Sequence, residues 1–215
     1  MEEAKFTLYD LKTWPRAGHF KYYTEQLRCA YSMTVELEIG HFLRRVRERG
    51  LRFYASFISL TARVVAEIPE MRMGLDEEGR PGHYSYMNPS YTIFHPEEGT
   101  FSDLWSQFDP DFDRLYANIV SDMERYKDSK AVKARPGQPP NFFCISCAPW
   151  ISFTGYSTVN YGGAPNLFPL ITYGRYREEG GKTLMPLALT IGHAAADGFH
   201  AARFFQALQG GLDRF

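Results

Sequence analysis

Residues 191–200 read Ile-Gly-His-Ala-Ala-Ala-Asp-Gly-Phe-His, and they join an apolar predicted strand to the last predicted helix. The strand delivers His193 at its end, and the three alanines after it let another group approach the backbone. Gly198 permits a turn that a β-carbon would block. Neutral imidazole accepts a proton from a hydroxyl or thiol near neutral pH. The segment is therefore a candidate for a general base at His193.

Two other interpretations of this segment stay open on the residues alone. His193 can be a packed histidine at a strand end, with Asp197 an ordinary helix cap. His193, Asp197 and His200 are also spaced four and three residues apart, as ligands on one helix face would be. The change from strand to helix within the segment, and the lack of an evident further ligand, argue against a metal site.

Outward from this segment, helices and strands do not alternate in regular βαβ units, which predicts an α+β fold with a large, mostly antiparallel sheet. Helices are predicted around residues 42–46 and over 53–68, from Asp109-Pro110 with Asp109 as cap, and from 197 or 198 onward. The last helix is expected to bury Phe199, Phe204, Phe205 and Leu208. Strands are predicted at 32–38, 71–75, 82–87, 91–95, 142–147, 150–153, 169–176 and 183–191.

The composition narrows the class of protein and of partner. The 24 basic and 25 acidic residues give a net charge of −1, so no basic field favours nucleic acid or an anionic membrane. No stretch is long and apolar enough for a membrane span, and the polar N-terminus does not read as a secretory signal. Three cysteines do not suggest a disulfide framework. We expect one cytoplasmic domain over residues 1–215.

Several motifs, in colinear order, are similar to those of one known family. His193 to His200 matches His-x-x-x-Asp-Gly-Phe-His, and three further segments also match: Trp14-Pro15-Arg16-Ala17-Gly18-His19-Phe20, Thr92-Ile93-Phe94-His95 with Met123-Glu124-Arg125-Tyr126-Lys127, and Ile145-Ser146-Cys147-Ala148-Pro149-Trp150. The chain resembles the trimeric chloramphenicol acetyltransferases, within the superfamily of CoA-dependent acyltransferases. The resemblance runs from Trp14 to the final helix.

The resemblance implies transfer of an acetyl group from acetyl-CoA to a hydroxyl of chloramphenicol or a related acceptor, without a metal and without an acyl-enzyme. It makes His193 the general base and Ser146 the donor that stabilises the oxyanion. It makes Thr172 the residue that holds a water near the same intermediate. It makes Asp197 and Arg16 a salt bridge that supports the turn carrying His193. Antibiotic resistance is the role that the family implies.

The resemblance also implies a homotrimer with active sites between subunits, His193 coming from one subunit and much of the acceptor pocket from its neighbour. The residues at acceptor-binding positions are Tyr23, Tyr31, Thr92, Phe101, Thr158 and Asn160.

The chain departs from the family pattern at the first of two adjacent histidines, which is Gly192, and in the acceptor pocket. Thr158 and Asn160 stand where relatives have aliphatic residues, and a buried polar group without a partner costs about 1–3 kcal/mol. These residues predict an acceptor more polar than chloramphenicol, or poor use of the drug.

Two alternatives to this function belong to other classes. The first is the acyltransferase core of a 2-oxo acid dehydrogenase complex, which shares His-x-x-x-Asp-Gly but normally carries a lipoyl domain and Ala/Pro-rich linkers, absent from this sequence. The second is a non-catalytic protein that binds a small molecule on the same fold.

Overall fold

The structure is a computed structural model that describes residues 3–159, 163 and 166–215. Its strands are β1 (Phe6–Leu8), β2 (Ala30–Glu38), β3 (Met73–Leu75), β4 (Pro81–Tyr84), β5 (Asn88–His95), β6 (Thr100–Trp105), β7 (Phe142–Ala148), β8 (Leu170–Gly174), β9 (Arg177–Glu179) and β10 (Lys182–Gly192). Its α-helices are α1 (Ala17–Lys21), α2 (Gly40–Glu48), α3 (Phe53–Glu67), α4 (Phe112–Tyr126) and α5 (Gly198–Asp213). A π-helical turn spans Tyr22–Gln26, and a 3₁₀ turn spans Pro69–Arg72.

One large sheet organises the described part of the chain. Its order is β2-β10-β8-β7-β5-β6, and β9 also pairs with β10. The pairs β5–β7 and β7–β8 are parallel, and the other pairs in this sheet are antiparallel. A smaller sheet joins β1, β4 and β3 in that order. The α+β fold class and the large, mostly antiparallel sheet are confirmed.

The core lies between the helices and one face of the large sheet. Leu187, Leu189 and Ile191 alternate along β10 and are fully or almost fully buried. Ala188 and Thr190 between them are buried as well, so β10 is covered on both faces. The helix α3 is buried over most of its surface, from Ala55 to Val65, as expected of a helix that is apolar nearly all round. The opposite sheet face carries the hydroxyls of Ser32 and Thr190, whose oxygens lie 2.6 Å apart.

Three predictions about elements need correction. The cap of α4 is Asp111, not Asp109, because Asp111 Oδ1 accepts the Arg114 N–H at 2.9 Å and the helix begins only at Phe112. Residues 150–153 form no strand: Trp150 lies in an exposed turn, and its segment is held by a bond from Arg175 N–H to the Ile151 carbonyl.

The third correction concerns Phe199, which is not buried but 68% exposed. It occupies the first turn of α5 on the outward side, where Arg203 lies 5.9 Å from its ring centroid. Phe204, Phe205 and Leu208 are buried as predicted. None of the described helices has the length and apolar character required to cross a membrane.

Candidate active site

His193 lies directly after the last residue of β10, at the edge where β10 meets β2. Its backbone N–H donates to the Cys29 carbonyl at 3.0 Å, which extends the strand pairing by one residue. Its ring stacks on Tyr23, with centroids 3.9 Å apart, and meets the Tyr31 ring edge-on at 5.2 Å. Its Nδ1 atom is enclosed and has no hydrogen-bond partner among the described residues. Within the described part of the chain, aromatic packing therefore holds the imidazole, and no hydrogen bond at Nδ1 does.

The turn that carries His193 is tied to the N-terminal region by an ion pair. Arg16 Nη1 lies 2.5 Å from Asp197 Oδ2, and Arg16 Nη2 donates to the His193 carbonyl at 3.3 Å. One guanidinium thus holds both ends of the segment between His193 and Asp197. The predicted pairing of Asp197 with Arg16 is present.

Asp197 is also the N-cap of α5, so the interpretation of this residue as a helix cap is confirmed as well. Its Oδ1 accepts the Phe199 N–H at 3.1 Å, and the His200 ring completes a capping box. Burial alone would raise the pKa of Asp197. The hydrogen bond from Arg16 and the charges of His200 and Arg16 outweigh that effect and hold the pKa below its usual value.

Ser146 and Thr172 form a second group, on the sheet rather than at its edge. They are register partners on the neighbouring parallel strands β7 and β8, so their side chains lie side by side on one face. Thr92 follows Tyr91, the partner of Ile145, and so continues the same row on β5. Phe101 pairs with Phe94 across the β5–β6 hairpin and is 59% exposed.

A cavity of about 710 Å³ opens where the parallel strands β5, β7 and β8 end. Its lining is mainly apolar and aromatic, and includes Trp150 and Tyr176. Two cations, Lys127 and Arg175, stand on its wall, and no salt bridge of Arg175 occurs within the described ranges. Among the predicted site residues that the structure describes, Thr92 lines this cavity. The other lining residues were not predicted as site residues, because they come from α3, α4 and three strand ends that are far apart in the chain.

The Cys147 thiol also lines this cavity. Burial raises the pKa of Cys147 to about 11, so it is protonated at neutral pH. The cavity wall therefore carries a thiol, not a thiolate, between Thr92 and Tyr173.

The two groups of predicted site residues lie apart in one chain. Ser146 pairs with Thr172, and Thr172 pairs with Ala188 on β10. His193 is five residues beyond Ala188, which corresponds to about 16 Å along the strand. One group therefore surrounds the end of β10 and consists of Arg16, Tyr23, Tyr31, Asp197 and His193. The other group lies on the neighbouring strands β5, β7 and β8 and consists of Thr92, Ser146 and Thr172.

Two of the predicted acceptor-binding residues add little to this geometry. Thr158 is exposed in the loop between β7 and β8, and Asn160 lies outside the described residues. Within residues 3–159, 163 and 166–215, no cluster of three His, Cys, Asp or Glu side chains is arranged to hold a metal ion.

Comparison with known proteins identifies the family from the sequence and the fold from the structure. A family profile described as chloramphenicol acetyltransferase matches residues 4–209. A chloramphenicol acetyltransferase of Clostridium perfringens is 38% identical over 205 residues, which cover 95% of this chain and 94% of the relative. A solved chloramphenicol acetyltransferase superposes with a TM-score of 0.85 at 24% identity, over 97% of this chain and 100% of that chain.

The same fold occurs in a truncated catalytic core of the 2-oxoacid dehydrogenase multienzyme complex from Thermoplasma acidophilum. Its TM-score is 0.65 at 17% identity, with coverage of 96% of this chain and 98% of that chain. At that identity the likeness concerns the fold alone.

Proposed function

The chain belongs to the chloramphenicol acetyltransferase family, and on that premise we propose that it transfers the acetyl group of acetyl-CoA to a hydroxyl of chloramphenicol. Membership of this family sets it apart from the dehydrogenase-complex cores that share its fold. The observation that carries the proposal is the placement of His193, an imidazole packed between two tyrosines at the strand-to-helix turn that Arg16 and Asp197 hold.

His193 acts as the general base through Nε2, since Nδ1 is enclosed. Nε2 accepts the proton of the acceptor hydroxyl as that oxygen attacks the thioester carbonyl. The carbon–sulfur bond then breaks, and the proton passes from the imidazolium to the departing CoA thiolate. Ester and free CoA thiol are the products, and no acyl-enzyme forms. A base in this role contributes about 10²–10⁴-fold to the rate.

Ser146 stabilises the oxyanion that forms when the carbonyl carbon becomes tetrahedral. Its neighbour Thr172, on the same sheet face, holds a water near that charge. A preorganised donor aimed at developing negative charge lowers the barrier by about 3–4 kcal/mol. The position of Ser146 and Thr172 as register partners supports their acting on the same intermediate.

The site is completed by a second copy of the chain, and we propose a homotrimer. Nε2 of His193 and the Ser146 hydroxyl must both lie within about 3.5 Å of one reacting group. Their separation along β10 and across two strand pairings is far larger than that within one chain. A trimer that places His193 of one subunit next to Ser146 of the neighbouring subunit brings the two groups together. Cyclic symmetry then repeats this shared site at each of the three interfaces.

The acceptor pocket then draws on two surfaces. Tyr23 and Tyr31 stand beside the base. On the neighbouring subunit Thr92 continues the row of Ser146, and Phe101 lies on the adjoining strand β6. Thr158, in the loop between β7 and β8, and Asn160, two residues further along the sequence, bring a hydroxyl and an amide to positions where relatives have aliphatic residues. Chloramphenicol is the first acceptor to test, with more polar alcohols next.

The cavity at the ends of β5, β7 and β8 suits acetyl-CoA. Trp150 and Tyr176 offer aromatic faces for the adenine ring, and Lys127 and Arg175 offer cations for the phosphates. Cys147 lines the cavity and is next to Ser146 in the chain, so the cavity leads toward the proposed oxyanion donor. Since acetyl-CoA is held inside cells, we place the protein, as a single domain of residues 1–215, in the cytoplasm.

The test is release of free thiol from acetyl-CoA with chloramphenicol as acceptor. We expect His193→Ala to lower kcat by at least about 100-fold, because the proton of the acceptor hydroxyl then has no base. His41→Ala on α2 is the matched control and should retain full activity. Full turnover by the His193 variant would refute the assigned base. No turnover by a folded wild type that binds CoA would reject chloramphenicol as the acceptor.

A further inference from the structure

A chain of polar contacts continues beyond the Arg16–Asp197 pair to Glu70, which lies outside the segment of residues 193–200. His200 Nδ1 lies 2.8 Å from Asp197 Oδ1, and His200 Nε2 lies 3.4 Å from Glu70 Oε1. The His200 side chain is only 10% exposed, so these contacts form away from bulk water. These contacts form a continuous path to the backbone carbonyl of His193. The path starts at Glu70 and passes through His200, Asp197 and Arg16.

Glu70 selects which nitrogen of His200 carries a proton. An ionised carboxylate can only accept hydrogen bonds, so Glu70 Oε1, at an ion-pair distance of 3.4 Å from Nε2, favours a proton on that nitrogen. In the neutral ring Nδ1 is then free to accept the Asp197 N–H, which lies 3.3 Å away. In the charged ring Nδ1–H donates instead to Asp197 Oδ1 at 2.8 Å. In both forms the ring stays turned with Nδ1 toward the cap of α5.

Without Glu70 the neutral ring has a third option, which weakens the cap. A proton on Nδ1 would donate to Asp197 Oδ1 and leave the Asp197 N–H without its acceptor. The ring could also rotate, since no other carboxylate among the described residues lies within ion-pair distance of Nε2. In a rotated ring Nδ1 would no longer contact Asp197 Oδ1, and the partner oxygen Oδ2 of that carboxylate holds Arg16.

Glu70 is well placed to resist such movement. It lies in the 3₁₀ turn after α3, 130 residues before His200, so it ties α5 to an independent part of the core. Its side chain is 21% exposed, and its Oε2 is enclosed 4.0 Å from Arg203 Nη1. The turn of His193 is thereby clamped from two sides, by Arg16 from the N-terminal region and by Glu70 through His200.

We propose that Glu70 is a positioning residue for His193, acting through His200 and Asp197. The kinetic part of this inference rests on the proposed acetyl transfer, and the structural part does not. Glu70 touches no substrate in this role. Its removal should change the orientation of the base and leave the substrate-binding surfaces intact.

The kinetic test compares Glu70→Ala, Glu70→Gln and Glu67→Ala. Glu70→Ala should lower kcat about tenfold, a loss typical of residues that act on a site through a network of contacts. The KM for acetyl-CoA and the KM for the acceptor should both be unchanged. Glu70→Gln keeps an oxygen that accepts from Nε2 and should stay within about twofold of the wild type. Glu67→Ala removes the same charge from an exposed position one turn earlier and should have no effect.

The double variant tests whether Glu70 acts through His200. In a His200→Ala background, Glu70→Ala should cause no further loss of kcat. A further tenfold loss there, or full activity of Glu70→Ala alone, would overturn the proposal.

A second readout does not depend on turnover. The Phe199 N–H donates to Asp197 Oδ1, so hydrogen–deuterium exchange in peptides covering 193–204 reports the cap directly. We expect Glu70→Ala to speed exchange there several-fold, with no change in Glu70→Gln or Glu67→Ala. Unchanged exchange in Glu70→Ala would refute the relay. Faster exchange in an enzyme whose wild type shows no acetyl transfer would refute the proposed function and leave the relay standing.

Discussion

The environment of Tyr31 shows how closely the candidate base is packed. The Tyr31 ring meets the His193 ring edge-on, and its hydroxyl is enclosed without a hydrogen-bond partner among the described residues. Burial, followed by the charge of Asp197, raises the pKa of Tyr31 well above its usual value. An enclosed hydroxyl without a partner costs about 1–3 kcal/mol.

We expect Tyr31→Phe to increase the free energy of unfolding by about 1 kcal/mol, since it removes that hydroxyl and keeps the ring. Tyr91→Phe is the matched control. The Tyr91 hydroxyl lies 2.7 Å from Ser106 Oγ, so its loss should destabilise the protein by about 1 kcal/mol. Urea unfolding of both variants measures the difference. A destabilised Tyr31→Phe would mean that the hydroxyl has a partner in a neighbouring subunit.

Asp197 should make stability depend on pH in one direction. Its folded-state pKa is lower than its unfolded-state pKa, so its carboxylate contributes stability above the unfolded value of about 3.9. That contribution is lost as the pH falls through the folded-state pKa. We therefore expect wild type to exceed Asp197→Asn in free energy of unfolding at pH 7, and the difference to shrink toward pH 3. A constant difference, measured by urea unfolding across this range, would contradict the assignment.

At the scale of elements, the end of β8 and the turn after β7 form the wall of the large cavity. Gly174 ends β8, and a β-carbon there would lie 2.7 Å from the Ile151 carbonyl oxygen and 2.9 Å from the Phe153 ring. The Arg175 N–H donates to that same carbonyl at 2.8 Å. Close backbone approach at this glycine thus holds the turn containing Trp150 against the strand.

Gly174→Ala should destabilise the protein by about 2 kcal/mol, because backbone or the Phe153 ring must move to admit a methyl group. The KM for acetyl-CoA should rise as well, since Gly174 and Trp150 both line the cavity. Gly155→Ala is the control, because a β-carbon there meets nothing within 4 Å. Thermal unfolding and acetyl-CoA titration check the two effects. Equal behaviour of the two variants would show that the contact at Gly174 is dispensable.

At the scale of the whole molecule, the separation of His193 from Ser146 predicts complementation between subunits. His193→Ala and Ser146→Ala should each be nearly inactive alone. In each mixed trimer, one of the three interfaces joins an intact His193 to an intact Ser146. Mixed trimers selected with two affinity tags after co-expression should therefore show about a third of wild-type activity. Light scattering should give three times the 24.7 kDa chain mass. A monomeric mass, or no restored activity in verified mixed trimers, would contradict a shared site.

Local patterns in the sequence predicted the elements that are marked by residues close together in the chain. Examples are the apolar run of α3, the alternation of apolar and polar residues in β2, and Gly50, whose positive φ follows the end of α2. The strand β6 escaped prediction because its pattern is inverted. Its Ser102 is fully buried through bonds to His95 and the Ser129 carbonyl, whereas its Phe101 is exposed.

The sequence by itself determined the family, the α+β class and the position of His193 where a strand turns into a helix, because these depend on residues close together in the chain. Only the tertiary structure decided that β8 and β7 follow β10 in the sheet, which places Ser146 far from His193 in one chain. It also brought Glu70 to His200 and gathered the cavity from α3, α4 and three strand ends. Strand order and such contacts join distant segments, and no local period encodes them.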